Sequence, residues 1–318
     1  MSTGTSAIGV DIGGSKIAAG AVTDTGGVQE RLVVPTPHED GAEGLVSTVV
    51  ELIDRLRKRH PHVRCVGVGA AGLVDPGAGC IRWAPNNTYR DLPLRDILSD
   101  ATDLPVVVDN DANAAAWAEA TIGAGVGLTD LAVFTVGTGV GAGLILGGRL
   151  HRGRGGLAGE VGHLIVDRTG GVCGCGMVGC LEAEASGTAL ARQANALTGH
   201  TSGDPLTGAD GITGRSLLAA AAAGDPAARA LFERMGERLG WAIASVVTLL
   251  DLQLVVLGGG LVAAEQYFLD NARASARRDL FSANRREVPP IECGQLGPDA
   301  GMIGAALLAV HDMVAPAT

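Results

Sequence analysis

The chain is predicted to fold as an α/β protein, on three observations. Short apolar stretches of strand length alternate with longer stretches of helical periodicity. Glycine-rich turns stand at the ends of strand-like stretches, and Asp or Asn stands where helix-like stretches begin. In order, residues 8–10 and 17–22 read as two short strands joined by D-I-G-G-S-K at 11–16. Residues 44–59 carry Leu45, Val49, Leu52, Ile53 and Leu56 at helical spacing, and residues 66–68 and 105–108 read as buried strands. Asp109-Asn110-Asp111 then opens an alanine-rich helix at 112–120, since Asp and Asn oxygens accept the free N–H groups of a first helical turn. A second strand-turn-strand covers 131–146, centred on T-V-G-T-G-V-G-A-G at 135–143. Set beside the first, Asp11 falls on Thr135 and Gly13 on Gly137, so one phosphate-facing hairpin is expected in each half. The least structured stretch is 201–215. Asp225-Pro226 reads as a cap followed by proline at the first helical position, with Leu231, Met235, Leu239 and Ile243 as a core stripe. A strand at 254–257 runs into Gly258-Gly259-Gly260, and a final helix covers about 300–310.

A chain of 318 residues is long enough for two domains with well-buried cores. The net charge of −10, from 24 basic and 34 acidic residues, argues against a nucleic-acid surface. The longest strongly apolar run, 241–250, falls short of the roughly 18 residues that a spanning helix needs. Residues 1–6 are small and polar, without the charged and apolar regions of a signal peptide. A soluble cytoplasmic protein is expected, with no membrane or nucleic-acid partner.

The glycine turns admit two readings. A Gly-Gly pair between strands is most often a hairpin turn, but three such turns at strand ends suit backbone N–H groups that approach phosphate. There is no Walker A sequence, because Gly14-Ser15-Lys16 does not complete one. The G-x-G-x-x-G at 67–72 reads as accidental, since Pro76 follows and blocks the helix a dinucleotide site requires.

The most chemical stretch is G-E-V-G-H at 159–163 followed by C-G-C-G-M-V-G-C-L-E at 173–182. His163, Cys173, Cys175 and Cys180 make a Cys₃His set of the kind that holds tetrahedral zinc. Cys173 and Cys175 are too close to bridge each other comfortably, and a disulfide through Cys180 is the alternative in a secreted protein. Cys65, Cys80 and Cys293 are scattered and read as buried thiols. Glu160 precedes the histidine by three residues and Glu182 follows the last cysteine by two. One metal would therefore draw both carboxylates into one polar pocket.

These blocks, taken together and in this order, resemble the ROK family of sugar kinases, and its bacterial glucokinases above all. The resemblance runs nearly end to end: G-V-D-I-G-G-S-K, V-D-N-D-A-N-A-A-A-W, T-V-G-T-G-V-G-A-G, G-E-V-G-H, the cysteine block and L-G-G-G. It implies an actin-like, ribonuclease-H-like fold of two α/β domains with a cleft between them. The smaller domain would be 1–115 plus 301–318, and the larger, 116–300, would hold the zinc and a dimer interface. It also implies ATP, with Gly13, Gly14, Ser15 and Lys16 and the Thr138-Gly139 turn at the phosphates and Gly258-Gly259 beside the nucleoside. Ser15 departs from the family's usual threonine but keeps the hydroxyl. Asp11 would hold Mg²⁺ through water.

Asp111 is the candidate base for the attacking hydroxyl, with Asp109 a rival at the same strand end. Asn110, Asp111, Glu160, His163 and Glu182 would grip the sugar, His163 also binding a structural zinc. The implied reaction is ATP-dependent phosphorylation of the 6-hydroxyl of glucose, in a homodimer or homotetramer. The stretch 83–90 lacks the family's tryptophan soon after P-N and has Tyr89 near that position. That leaves amino sugars open: N-acetylmannosamine, N-acetylglucosamine or 3-amino-3-deoxyglucose. Sugar-responsive repressors of the family carry a helix-turn-helix ahead of the first strand, for which a strand starting near Ala7 leaves no room. A non-catalytic sugar-binding module would need none of the retained ATP loops.

Overall fold

The computed structural model describes residues 5–84, 90–198 and 212–314. Tyr89 with most of its stretch, and most of 201–215, lie outside the described residues. The chain begins with strands β1 (Thr5–Ile12), β2 (Lys16–Thr23) and β3 (Val28–Pro35), then helix α1 (Gly41–Arg59) and β4 (Cys65–Ala70). A small hairpin, β5 (Leu73–Asp75) and β6 (Cys80–Trp83), precedes α2 (Leu94–Thr102), β7 (Val106–Asn110) and α3 (Asp111–Ile122). Strands β8 (Leu131–Val136), β9 (Val140–Leu146) and β10 (Arg149–Leu150) follow. Helices α4 (Leu181–Ala185), α5 (Gly187–Thr198), α6 (Gly214–Ala222) and α7 (Pro226–Leu250) come next. The described chain ends with β11 (Leu254–Gly258), α8 (Glu265–Asp279), β12 (Ile291–Cys293) and α9 (Ala300–Val314).

The first sheet has the order β3-β2-β1-β4-β7 and the second the order β10-β9-β8-β11-β12. The two orders are the same when β8 stands for β1, so the duplication suggested by the aligned glycine turns extends to whole sheets. The senses agree where both are defined. β2–β3 and β9–β10 are antiparallel hairpin pairs, and β4–β7 and β11–β12 are parallel pairs.

Alternation along β1 decides what covers each face of the first sheet. Ile8, Val10 and Ile12 enter one core with Leu45, Val49, Leu52, Ile53 and Leu56 of α1 and Leu94 and Leu98 of α2. Ala7 enters the opposite core with Met302, Ile303 and Ala306 of α9. That second face is built from small residues because α9 lies almost on the backbone. A Cβ on Gly9 would sit 1.9 Å from the Met302 carbonyl oxygen, and one on Gly67 would sit 1.7 Å from that of Ala305. On the other side of the helix, a Cβ on Gly304 would sit 1.7 Å from the Ala114 carbonyl of α3. Gly67 is thus a packing glycine, and β4 continues into the β5–β6 hairpin rather than a helix, as Pro76 requires. The start of α7 also follows its sequence signal: Asp225 Oδ1 accepts from Ala228 N at 2.8 Å, with Pro226 in the first turn.

The chain forms two compact units. The first takes Met1–Val133, Gly143–Gly159 and Gly294–Thr318, and the second takes Phe134–Ala142 and Glu160–Cys293, so the division passes through β8 and β9. These bounds differ from a break at 115 and 300. Helix α3 stays with the first unit because its own backbone packs against α9 at Gly304. Among the described residues, no helix is long and apolar enough to cross a membrane.

Candidate active site

In the first unit, the chemistry gathers at the ends of β1 and β7. The β1–β2 turn has its carbonyl oxygens tied down on one side: Thr36 Oγ1 donates to Gly13 O at 2.8 Å, and Thr36 N donates to Ser15 O at 3.2 Å. His38 Nε2 lies 2.7 Å from Gly14 O. In a trans peptide the N–H points opposite to the carbonyl, so the Gly14 and Ser15 N–H groups are directed away from this clamp. Gly14, Ser15 and Lys16 are exposed. A turn with its N–H groups free of the carbonyl clamp has a form suited to anions.

Asp11 closes β1 on the α9 face. A Cβ on Gly301 would lie 3.0 Å from its carboxylate, so a side chain there would crowd it. Burial chiefly, then the charges of Asp111 and Asp299, raise the Asp11 carboxyl to about 7 against the opposing pull of Lys16. A divalent cation is the natural counter-charge for such a group.

At the end of β7, three neighbouring acceptors have three different situations. Asn110 is the N-cap of α3, its Oδ1 accepting from Ala112 N at 2.8 Å and Asn113 N at 3.1 Å, while Nδ2 donates to Gly72 O at 3.1 Å. Asp109 is 1% exposed; its Oδ2 is paired with Arg152 Nε at 2.6 Å, and its Oδ1 accepts from Asn110 N at 2.8 Å and Asn113 Nδ2 at 2.9 Å. Asp111 takes the first helical position, and Ala112 N donates to its Oδ1 at 2.9 Å. The capping duty therefore falls to Asn110, and the rival Asp109 is sealed in a buried network.

In the second unit, the Gly137–Gly139 turn repeats the design of the first. Gly187 N donates to Gly137 O at 2.8 Å, and Thr188 Oγ1 donates to Thr138 O at 2.9 Å. A threonine thus latches the carbonyl side of each glycine turn, and the Thr138 and Gly139 N–H groups are turned the other way. Gly259, after β11, has φ 88°, and a Cβ there would lie 2.5 Å from Val136 O. Only glycine suits both constraints.

The same unit brings His163, Cys173, Cys175 and Cys180 together, their ligand atoms all within 4.8 Å of one another. Cys175 Sγ and Cys180 Sγ are 3.6 Å apart, and Cys173 Sγ is 3.7 Å from His163 Nδ1. A tetrahedron with Zn–S near 2.3 Å has edges of about 3.8 Å, so the donor set has the size and chemistry of a zinc site. Burial first, and then the neighbouring sulfurs, push the Cys180 thiol up to about 12. A cation would reverse that cost.

Both carboxylates predicted from spacing come to this cluster. Glu160 Oε2 is 4.0 Å from His163 Nε2, and Glu182 Oε1 is 3.8 Å from Cys173 Sγ. Glu182 Oε2 also accepts from Val140 N at 3.0 Å. A Cβ on Gly139 would lie 2.3 Å from that oxygen. Glu182 is therefore a strut between the cysteine knuckle and the second glycine turn, a connection that nothing in the local sequence announces. Arg152, Thr36 and Thr188 were also missed, because their partners lie 43, 23 and 50 residues away.

Duplicated five-stranded sheets, each with a glycine turn latched by threonine, together with the acidic β7–α3 junction, define an actin-like sugar-kinase fold. The ROK family model matches residues 7–312, and the chain belongs to the ROK family. It is 40% identical over 311 residues to a glucokinase of Streptomyces coelicolor, covering 95% of this chain and 96% of that one. Among solved structures it is similar to a ROK family glucokinase from Streptomyces griseus in complex with glucose and AMPPNP. That likeness has 41% identity and a TM-score of 0.88, over 96% of this chain and 99% of the other. An N-acetylmannosamine kinase of Escherichia coli is 36% identical over 310 residues, covering 95% of this chain and 97% of that one.

Proposed function

We propose that the chain is an ATP-dependent glucokinase, transferring the γ-phosphoryl group of ATP to the 6-hydroxyl of glucose. The observation that carries this reading is the division of labour at the β7–α3 junction. Asn110 caps and Asp109 is sealed by Arg152, which supports Asp111 as the carboxylate that accepts the proton. As the sugar oxygen attacks phosphorus, its proton passes to Asp111 and the bond to ADP breaks. The Gly13, Gly14, Ser15 and Lys16 turn and the Thr138-Gly139 turn hold phosphate oxygens by backbone N–H groups, and Gly258-Gly259 lies beside the nucleoside. Asp11 would hold Mg²⁺ through water, and the ion would supply positive charge to the transferred group. Asn110, Glu160, His163 and Glu182 orient the sugar hydroxyls.

His163, Cys173, Cys175 and Cys180 would hold a structural zinc, their four donors leaving none of its positions for chemistry. The protein works in the cytoplasm as a homodimer or homotetramer. Glucose is supported by the Streptomyces griseus relative, whose structure holds that sugar and an ATP analogue. An amino-sugar kinase is the second reading, favoured by the Escherichia coli relative and by Tyr89.

Both readings are separated by ATP-dependent kcat/KM on glucose, mannose, N-acetylmannosamine, N-acetylglucosamine and 3-amino-3-deoxyglucose. A preference for glucose is expected. A preference for an N-acetylated sugar moves the assignment to the second reading, and absence of turnover on all five removes both.

A further inference from the structure

Arg152 has no role in the chemistry above, yet its partner Asp109 is the most deeply buried acid of any ion pair among the described residues, at 1% exposure. An ionised carboxylate at that depth persists only when it is paired and hydrogen-bonded. Arg152 Nε supplies the pair at 2.6 Å, and Asn110 N and Asn113 Nδ2 occupy the other oxygen at 2.8 and 2.9 Å. Asn110 is the cap of α3 and Asn113 its third residue, so Asp111 lies between the two groups that Asp109 holds. Arg152 is itself fixed: its carbonyl accepts from Ala158 N at 3.1 Å, with Gly153 turning the chain at φ 69°.

We propose that Arg152 is a positioning residue for phosphoryl transfer, acting through Asp109 to fix the start of α3 and with it the Asp111 carboxylate. The inference rests on the reading of Asp111 as the base. Without the guanidinium, the buried Asp109 carboxylate loses its pair and must admit water or shift, and either disturbs the groups it holds at the end of β7. A displacement of about 1 Å between a base and its hydroxyl lowers the rate by about 100-fold, with little change in how the sugar is held.

The test uses the full chain and three variants: Arg152→Met, Asp109→Asn/Arg152→Met and Asp111→Ala. Arg152→Met should lower kcat by about 100-fold, with KM for ATP nearly unchanged and KM for glucose changed far less than kcat. The double variant removes both charges, so it should melt near the wild-type temperature even if Arg152→Met does not fold, while kcat stays low. A folded double variant with wild-type kcat overturns the inference, because Arg152 would then serve only to neutralise Asp109. A rise in KM that accounts for the whole loss also overturns it. Asp111→Ala separates the two levels of the argument. If that variant turns over normally, the assignment of the base fails. If it is inactive while the double variant is fully active, only the role of Arg152 fails.

Discussion

Asp11 and Asp111 are two carboxylates whose charges oppose each other, and they lead to opposite expectations for stability and rate. Asp111 sits at the N-terminus of α3 but is not its cap. Asp111→Ala should therefore leave the melting temperature and glucose binding almost unchanged. Turnover should fall by about 10²–10⁴-fold, the usual range for loss of a general base, and steady-state assays beside calorimetric glucose titration read both. Asp11 is the reverse case. Its carboxyl stands at about 7 in the native protein, against about 3.9 in an unfolded chain. Between those values the native state binds more protons than the unfolded state, so the group's contribution to stability falls as pH rises from about 4 to about 7. Asp11→Asn should accordingly melt above the wild type in metal-free buffer at pH 8, by a margin that shrinks towards pH 5, and should be inactive. An equal margin at both pH values would show that the buried charge is not the cause.

At the element scale, α4 and α9 show how short segments govern the site. Cys180 stands at the N-cap position of α4 and Glu182 lies in its first turn, so opening the cysteine knuckle releases the Glu182 carboxylate and its bond to Val140 N. Cys175→Ser is expected to lose zinc on elemental analysis. Its KM should rise for ATP as well as for glucose, by about tenfold each if one charge-assisted hydrogen bond is lost. Full zinc, or a change confined to glucose, would contradict the strut. Helix α9 bears on the first sheet through glycine, and Gly67→Ala tests this. With the Ala305 carbonyl 1.7 Å from the added Cβ, the helix must shift, at a cost of about 1–3 kcal/mol. Chemical denaturation should show that loss, and KM for ATP should change little, since Gly67 is not part of a nucleotide loop.

Across the whole molecule, what the sequence made legible was what is local in the chain. The zinc ligands share one stretch of 18 residues from His163 to Cys180, and the β1–β2 and β8–β9 hairpins each surround their own glycines. Edge strand β3 was passed over because Gln29, Glu30 and Arg31 interrupt its apolar pattern, and β10 and β12 were too short to show periodicity. The Arg152–Asp109 pair, the threonine latches and the Glu182 strut needed the fold before they could be seen, because each joins residues far apart in sequence. The glycines under α9 were visible as letters, but their reason was not, since only the helix lying on them gives it. Deleting 300–318 should therefore leave the first sheet with one face bare, and the truncated chain should be insoluble or bind a hydrophobic dye where the full chain does not. The order of synthesis gives that packing a further meaning. A ribosome delivers β1, β4 and α3 early, but the helix that roofs them is encoded far downstream of all three. These three elements must wait, half-covered, until translation has passed α9. Premature termination anywhere upstream of α9 then yields a protein that quality control can recognise by the surface it fails to hide.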